Sequence, residues 1–424
     1  MIKGALVPQK DRFHLNECLA AMIAVLFLSI LTPAQIAPPR TLDELKQETQ
    51  KRVDENLAPA GGMKSEDARE ALSNLHSLDR DEWAAVWSAI ADRYDKRAKQ
   101  EEAADNKKAA QEDYRMAWRY YSFARWPIPN SPGKEKAYQS ALAAFRDYAR
   151  FLDPPLETVH IPFEGKEIVG YLRLPKGVRP APMVLTISAL DSRKEDGVQG
   201  EDAAFIRKGI GFFAVDEPGT GQAPITADVG AERMFSRILD YLATRPEVDS
   251  HRIVVRGVSW SGYWAAKLAY VEKDRIRGAV VQGGPVDDYF SAEWQRPGLG
   301  TREYLFDLFP ARASVYGVKT LDEFLAFGPR MSLKGEGFLG KPSAPMLIIN
   351  GEKDTQVPIA DLYTLLHSGG TPKEAWVNPN GGHTGRSADW PNSRISAEIV
   401  LPWIEARLES PTEKKNAPTA SSGS

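Results

Sequence analysis

The hydrophobic pattern divides the chain into three stretches of different texture. Residues 19–31 form an unbroken apolar or small run, LAAMIAVLFLSIL. From 41 to 153, apolar residues recur every three or four positions among good helix formers, which predicts amphipathic helices. From 154 onward, short apolar runs alternate with helical stretches, which predicts a mostly parallel sheet covered on both faces. We therefore expect an all-helical N-terminal domain at 41–153 and an α/β domain at 154–410.

The apolar runs of the second domain place the expected strands. A strand pair at 158–163 and 167–174 is followed by runs at 182–190, 211–215, 253–258, 279–282, 345–350 and 374–377. Residues 287–340 interrupt this alternation with irregular, aromatic sequence, and we expect them to form a small insertion over the carboxyl edge of the sheet. The tail 411–424 lacks large apolar residues and is predicted to be disordered.

The apolar run near the amino terminus is too short for the ~20 residues that a spanning helix needs. Basic residues precede it, and small residues surround Ala34 at the position expected for cleavage. We interpret residues 1–34 as a signal peptide, which predicts a secreted or periplasmic protein with no stable membrane span after cleavage. An uncleaved N-terminal anchor is the alternative.

Composition narrows the classes of function. With 42% hydrophobic and 26% charged residues, the 424-residue chain is ordinary globular protein. A net charge of −3 without a basic run argues against nucleic acid as a partner. Cys18 is the one cysteine, so the sequence predicts no disulfide framework and no catalytic thiol. The six histidines limit the candidates for a general base.

The segment RGVSWSG, 256–262, carries the sharpest chemical signal. It lies between an apolar strand and a helical stretch, the context of a nucleophile elbow of the G-x-S-x-G kind. Gly257 and Ser259 fit that pattern, whereas Ser261 replaces the second glycine. In the alternative register Ser261 is the nucleophile, but Tyr263 would then occupy a glycine position and is too large. We predict Ser259 as the nucleophile.

A serine nucleophile needs a base, and the base needs an orienting carboxylate. In elbow-bearing folds the acid and then the histidine follow the serine along the chain. Asp354 stands in the loop after the 345–350 strand, with Glu352 as the alternative acid. His383 stands in a glycine-rich loop beyond the last strand, where no other histidine occurs. The sequence thus predicts a triad of Ser259, Asp354 and His383.

An oxyanion formed during the reaction would need hydrogen-bond donors. We expect the backbone N–H of Trp260 to be one and that of Leu190, in the loop after the 182–190 run, to be the other. The chain has neither a phosphate-binding P-loop motif nor HExxH, so no metal or other cofactor is predicted.

The span from about 110 to 408 resembles the FrsA-like esterases, a family of α/β-hydrolases. It is also similar to the related 2,6-dihydropseudooxynicotine hydrolase and to the fungal polyketide chain-shortening hydrolases. The resemblance is carried by PPLETVHIPFEGKEIVGYLRLP (154–175), SALDSRKED (188–196), DEPGTGQ (216–222), RGVSWSGYWAAKLAY (256–270) and PRMSLKGEGFLGKPSAPMLIINGEKDTQVP (329–358).

This resemblance implies an α/β-hydrolase fold with a helical N-terminal domain over its sheet, and it places the triad on the same three residues. In the 2,6-dihydropseudooxynicotine hydrolase an acidic residue after the third strand contacts the substrate. The resemblance assigns that part to Asp191 or Glu195, with a cap or surface salt bridge as the alternative reading of each.

The predicted function is cleavage of a small-molecule carboxylic ester by a serine hydrolase through an acyl-enzyme. Two alternatives stay open: a C–C bond hydrolase acting on a β-diketone with the same triad, and a non-catalytic binding protein on a hydrolase scaffold. A peptidase of the prolyl-oligopeptidase type is disfavoured because no propeller domain precedes the α/β part.

Overall fold

The computed structural model describes residues 38–198, 201–370 and 372–409. The predicted signal peptide, 1–34, and the predicted disordered tail, 411–424, lie outside these residues. The proposed division at 153 and 154 remains a prediction, although a change from helices to strands falls at that place in the chain.

Within the described residues from 38 onward, five helices form the part that precedes the sheet. They are α1 (Leu42–Asp54), α2 (Ser65–Ser73), α3 (Arg80–Ala103), α4 (Lys107–Ala124) and α5 (Pro132–Ala149). The Thr41 side chain and Glu44 form a capping box at the start of α1, and the Asp79 carboxylate accepts two backbone N–H groups at the start of α3. Along α3, Trp83, Trp87 and Ile90 lie on one buried face, as their spacing predicts.

Across the parts of the chain that the structure describes, eight strands form one sheet. They are β1 (Glu157–Phe163), β2 (Lys166–Arg173), β3 (Ala181–Ile187), β4 (Gly211–Val215), β5 (Val248–Val258), β6 (Gly278–Gln282), β7 (Met346–Gly351) and β8 (Lys373–Asn378). Their order across the sheet is β1-β2-β4-β3-β5-β6-β7-β8. The β1–β2 and β2–β4 pairs are antiparallel and the others are parallel. The predicted mostly parallel sheet is thereby confirmed.

Helices connect the strands and cover the sheet. They are α6 (Lys194–Val198), α7 (Glu201–Arg207), α8 (Arg233–Ala243), α9 (Ser261–Val271), α10 (Ala292–Gly298), α11 (Leu308–Tyr316), α12 (Leu321–Phe327), α13 (Ile359–His367), α14 (Asn392–Ile395) and α15 (Leu401–Leu408). A π-helical turn at Ser396–Val400 joins the last two. The predicted insertion, 287–340, contains α10, α11 and α12.

The two faces of the sheet bury different cores. Leu185 of β3 packs with the helices on one face, whereas its neighbour Val184 packs on the other, as alternation along a strand requires. The second core continues into the helical part of the chain. Phe145 of α5 contacts Tyr171 of β2 with ring centroids 5.1 Å apart. The N-terminal helices therefore share a hydrophobic core with the sheet.

Two strand boundaries differ by more than one residue from the sequence-based expectation. Strand β3 ends at Ile187 rather than at 190, so residues 188–190 enter a loop at the carboxyl edge. Strand β5 begins at Val248 rather than at 253, because polar residues 249–252 carry no apolar signal but still continue the strand. Ligands of open α/β sheets bind at the carboxyl ends of the strands. Strand β5 lies near the middle of this sheet, so its carboxyl end is a candidate position for a site.

Candidate active site

Ser259 lies in the tight turn between β5 and α9. Its backbone is left-handed, with φ 58°, a conformation that residues with a side chain rarely adopt. Glycines make the turn possible. A Cβ at Gly257 would lie 2.1 Å from the Ser261 carbonyl oxygen, and one at Gly262 would lie 2.5 Å from the Gly284 Cα. This is the local geometry that the elbow motif predicts, and it presents the Ser259 hydroxyl at the edge of the sheet.

Ser261, which replaces the second glycine of the motif, has a structural contact in this turn. Its buried hydroxyl accepts the Val258 N–H at 2.9 Å and lies 3.0 Å from the Ile187 carbonyl oxygen. The side chain therefore joins the ends of β5 and β3. The hydroxyl that approaches a histidine is that of Ser259, as the preferred register predicts.

The three residues of the predicted triad lie together, although they come from three separate loops. The Ser259 Oγ is 2.7 Å from the His383 Nε2, and the His383 Nδ1 is 2.8 Å from the Asp354 Oδ2. The side chains of His383 and Asp354 are 4% and 0% exposed. A hydroxyl, an imidazole and a buried carboxylate are thus connected in series, which is the arrangement that activates a serine.

Asp354 is held by donors other than His383. Its Oδ2 accepts the Asn350 amide at 2.8 Å, and its Oδ1 accepts the backbone N–H groups of Gln356 and Val357 at 2.8 and 3.1 Å. Burial alone would raise the pKa of the Asp354 carboxyl, but the His383 imidazole and these hydrogen bonds outweigh it, so the pKa lies below its usual value. The carboxylate is therefore ionised and fixed. Glu352, the alternative acid, is exposed and accepts the Tyr363 hydroxyl instead.

The two predicted oxyanion donors are free of other hydrogen bonds within the described part of the chain. The Trp260 N–H stands at the start of α9, beside the serine. In the loop after β3, the Ala189 N–H donates to the Ser192 hydroxyl at 2.8 Å, whereas the Leu190 N–H has no such partner. Leu190 itself is buried, and its backbone N–H is the group that could donate to an oxyanion.

The structure separates the two acidic residues that were alternatives for a substrate contact. Asp191 lines the cleft around Ser259, and its carboxylate accepts the Trp126 indole N–H at 3.1 Å. Glu195 is buried, ion-paired with Lys194 at 3.1 Å, and accepts the Tyr171 hydroxyl at 2.9 Å. Asp191 is therefore placed where it can meet a substrate, and Glu195 belongs to a buried network.

The cavity that contains Ser259, here called the serine cleft, has a volume of about 330 Å³. Several residues of its wall were not predicted from the sequence, among them Trp126, Glu303 and Tyr304. Trp126 belongs to an aromatic run, 114–126, whose pattern indicates helix core, and most of that run is indeed buried there. Glu303 and Tyr304 lie in the irregular insertion, where no periodic signal marks them.

Within residues 38–198, 201–370 and 372–409, no group of three or more His, Cys, Asp or Glu side chains is arranged to hold a metal ion. Across the same residues, no helix has the length and apolar character needed to cross a bilayer.

Comparison with known proteins identifies the family. The family model described as "Esterase FrsA-like" matches residues 54–380. The chain belongs to the FrsA-like esterase family. Esterase FrsA of Vibrio cholerae is 28% identical over 327 residues, covering 71% of this chain and 75% of the relative. Esterase FrsA of Vibrio vulnificus is 28% identical over 287 residues, covering 66% of each chain. The predicted family membership is confirmed.

Solved structures similar to this FrsA-like chain confirm its fold. The 2,6-dihydroxy-pseudo-oxynicotine hydrolase superposes with a TM-score of 0.68 at 21% identity, covering 84% of this chain and 94% of that one. Wild-type AbyA5 superposes with a TM-score of 0.65 at 21% identity, covering 87% and 99%. The chain is an α/β-hydrolase, an enzyme of an esterase family, as predicted.

Proposed function

We propose that this FrsA-like chain hydrolyses a small-molecule carboxylic ester through a Ser259–His383–Asp354 triad and an acyl-enzyme. The observation that carries the proposal is the unbroken hydrogen-bonded series from the Ser259 hydroxyl through the His383 imidazole to the Asp354 carboxylate. Family membership supports ester chemistry, and the buried carboxylate supports a base of fixed orientation.

In the first half of the reaction, the His383 Nε2 takes the Ser259 proton while Oγ bonds to the ester carbonyl carbon. The Asp354 carboxylate holds the proton on Nδ1, so that Nε2 is free to accept, and it stabilises the imidazolium. The imidazolium then gives its proton to the alkoxide oxygen as the C–O bond breaks, which releases the alcohol and leaves the acyl group on Ser259.

In the second half, His383 takes a proton from a water molecule as the water oxygen bonds to the acyl carbon. Collapse of this intermediate returns the proton to Ser259 Oγ and releases the carboxylic acid. In both halves the carbonyl oxygen becomes negative, and the N–H groups of Trp260 and Leu190 are the proposed donors to it. One such donor contributes about 10²–10³ in rate in other serine hydrolases.

The decisive experiment combines a fluorophosphonate probe with p-nitrophenyl acetate. We expect the wild-type chain to become phosphonylated on the peptide that contains Ser259, with fluoride as the leaving group, and Ser259→Ala to remain unlabelled. The hydrolysis rate should fall by about 10⁴-fold or more in Ser259→Ala, because triad serines contribute on that order.

The C–C bond alternative would use the same triad, so substitutions in the triad cannot distinguish it from ester hydrolysis. Assaying a 1,3-diketone beside the ester distinguishes the two reactions by their substrates. Ser261→Ala tests the alternative register and should still be labelled at position 259. If the wild-type chain took up no probe, or if the label resided on Ser261, the proposed mechanism would be wrong.

A further inference from the structure

A second cavity, here called the distal cavity, lies between the helical part of the chain and the insertion. Its volume is about 640 Å³, within the range of small-molecule sites. None of Ser259, Asp354 and His383 lines it. Its apolar wall is contributed by both regions, namely Leu45, Leu78, Trp83, Leu299, Phe306 and Phe309.

The charged residues around the distal cavity are engaged with one another or with backbone groups. The Asp307 carboxylate accepts two bonds from the Arg80 guanidinium at 2.7 and 2.8 Å. Asp81 accepts the Gly133 N–H at 2.7 Å, and the Arg40 guanidinium donates to the Leu305 carbonyl oxygen at 3.0 Å. What these pairs leave for a ligand is a largely hydrocarbon and aromatic surface.

One short segment, residues 302–307, here called the strap, separates the distal cavity from the serine cleft. On one side Arg302 is ion-paired with Glu44 of α1 at 2.9 Å. On the other side the Glu303 carboxylate accepts the Gln356 amide at 2.8 Å, two residues beyond Asp354. The strap is thus fastened to the helical part and to the loop that holds the triad acid.

Tyr304 is the residue of the strap that lines both cavities. Its ring lies 5.2 Å from that of Trp126, which lines the serine cleft. The neighbouring Phe306 ring lies 4.8 Å from that of Trp83, which lines the distal cavity. Aromatic side chains of the strap and of the helical part therefore stand in contact between the two cavities.

We propose that the distal cavity is a second subsite, which takes the apolar chain of an elongated ester, and that the Tyr304 ring controls access to it from the serine cleft. This inference rests on the proposed ester hydrolysis at Ser259. An unbranched alkyl chain is the occupant that the surface favours, because it needs no hydrogen-bond partner and gains about fourfold in affinity for each methylene that it buries.

Chain-length profiles test the proposal. The ratio of kcat/KM for p-nitrophenyl dodecanoate to that for p-nitrophenyl acetate should rise about tenfold in Tyr304→Ala, since loss of the ring widens the opening between the cavities. Tyr304→Phe keeps the ring and should keep the wild-type ratio. A ratio within twofold of wild type in Tyr304→Ala would overturn the proposal.

A second variant guards against misfolding of Tyr304→Ala. Leu78 is 53% exposed and lines the distal cavity, so Leu78→Gln should fold and should lower the rate on dodecanoate severalfold with acetate unchanged. Val271, 40% exposed at the end of α9, lines no part of either cavity, and Val271→Gln is the matched control. Equal effects of the two substitutions on dodecanoate would contradict the proposal.

Binding of an ester to the Ser259→Ala chain tests the subsite independently of the proposed mechanism. Methyl dodecanoate, a neutral ester with the same acyl chain as the assay substrate, should bind that chain in a calorimetric titration, and Leu78→Gln should weaken the binding. Such binding without phosphonylation of the wild-type chain would support the subsite and contradict the mechanism. Absence of binding would overturn the proposed subsite. Binding that occurs only after the chain is cut before Pro38 would also overturn it, because the cavity would then be assigned to the preceding segment.

Discussion

Around Ser259, the interacting side chains come from turns at the carboxyl ends of three strands, and each turn is shaped by neighbours within a few residues. Around Tyr304, the interacting groups come from distant parts of the chain. Arg40 donates to the Tyr304 carbonyl oxygen across 264 residues, and Arg80 contacts Asp307 across 227. One region is therefore built locally on a sheet, and the other is built by the docking of two parts of the molecule.

This difference separates chemistry from selectivity. The sheet edge holds the hydroxyl, the imidazole and the carboxylate within hydrogen-bond distance, so under the proposed mechanism it determines the reaction. Under the proposed subsite, the strap and the helices determine which substrates reach that edge. Substitutions in the first region should change kcat over orders of magnitude, whereas substitutions in the second should change stability and KM.

The largest effect is expected from Asp354→Asn. The introduced side-chain amide would donate a hydrogen bond to the His383 Nδ1, so the imidazole would carry its proton on Nε2. Because Nε2 faces Ser259, it would then have no lone pair with which to accept the serine proton. We expect kcat to fall by about 10⁴-fold, measured with p-nitrophenyl acetate. Glu352→Gln, in the same loop but exposed, should remain within about twofold of wild type. Equal losses in the two variants would contradict the assignment of the acid.

The same substitution has a pH signature. Because the pKa of Asp354 in the folded chain lies below its unfolded value near 3.8, its ionisation stabilises the fold fully above that value. This stabilisation is lost as the pH falls through the lower folded pKa. The urea midpoint should therefore drop less between pH 6 and pH 3 in Asp354→Asn than in the wild type, and a parallel drop would count against the low pKa.

A smaller effect is expected from Asp307→Asn at the end of the strap. Asn tolerates the left-handed backbone there, φ 57°, so the substitution removes mainly the charge. The buried Lys134 ammonium, 3.6 Å from the carboxylate, would lose its ion pair. We expect the free energy of unfolding to fall by about 1–3 kcal/mol and KM to rise with little change in kcat.

Urea titration measures the Asp307→Asn effect, and Asp153→Asn is the matched control. Asp153 pairs with Lys176 at 2.6 Å, but both side chains are 70% exposed. Its removal should change the free energy of unfolding by less than about 0.5 kcal/mol. If Asp307→Asn and Asp153→Asn changed the free energy of unfolding equally, the strap would have no special role in joining the two regions.

A far smaller effect on kcat than that of Asp354→Asn is expected from Ser261→Ala. The Val258 N–H and the Ile187 carbonyl would lose their buried partner, which should cost about 1–3 kcal/mol of stability. Ser259 and its contact with His383 remain, so kcat should stay within about tenfold. Thermal unfolding and ester hydrolysis report the two quantities separately. Loss of activity as complete as in Ser259→Ala would restore Ser261 as a candidate nucleophile.

The positions of Ser259, Asp354 and His383 at the carboxyl edge of the sheet could be predicted because the sequence patterns that mark them span only a few residues. An apolar strand followed by small residues and a helix is enough to locate Ser259, and the order of loops is enough to locate Asp354 and His383. The end of β3 was placed three residues late because Ser188–Leu190 are apolar or small enough to continue a strand, while they in fact form the loop beside Ser259.

The wall of the serine cleft could not be predicted in the same way. Trp126 carries the same aromatic signal as the buried residues before it, and only the docking of the helices against the sheet brings it to Asp191. Tyr304 lies in a segment with no period, and the position of that segment depends on the guanidinium groups of Arg40 and Arg80, more than two hundred residues away. Such pairings leave no pattern in one sequence.

The left-handed backbone at position 259 has a consequence for how this fold persists. A residue with a side chain costs about 1 kcal/mol or more in that conformation, and glycine costs much less. Folding alone would thus favour glycine at this position, whereas the proposed reaction requires the Ser259 hydroxyl. Under that proposal, the chain gives up about 1 kcal/mol of stability at this turn for a reactive side chain.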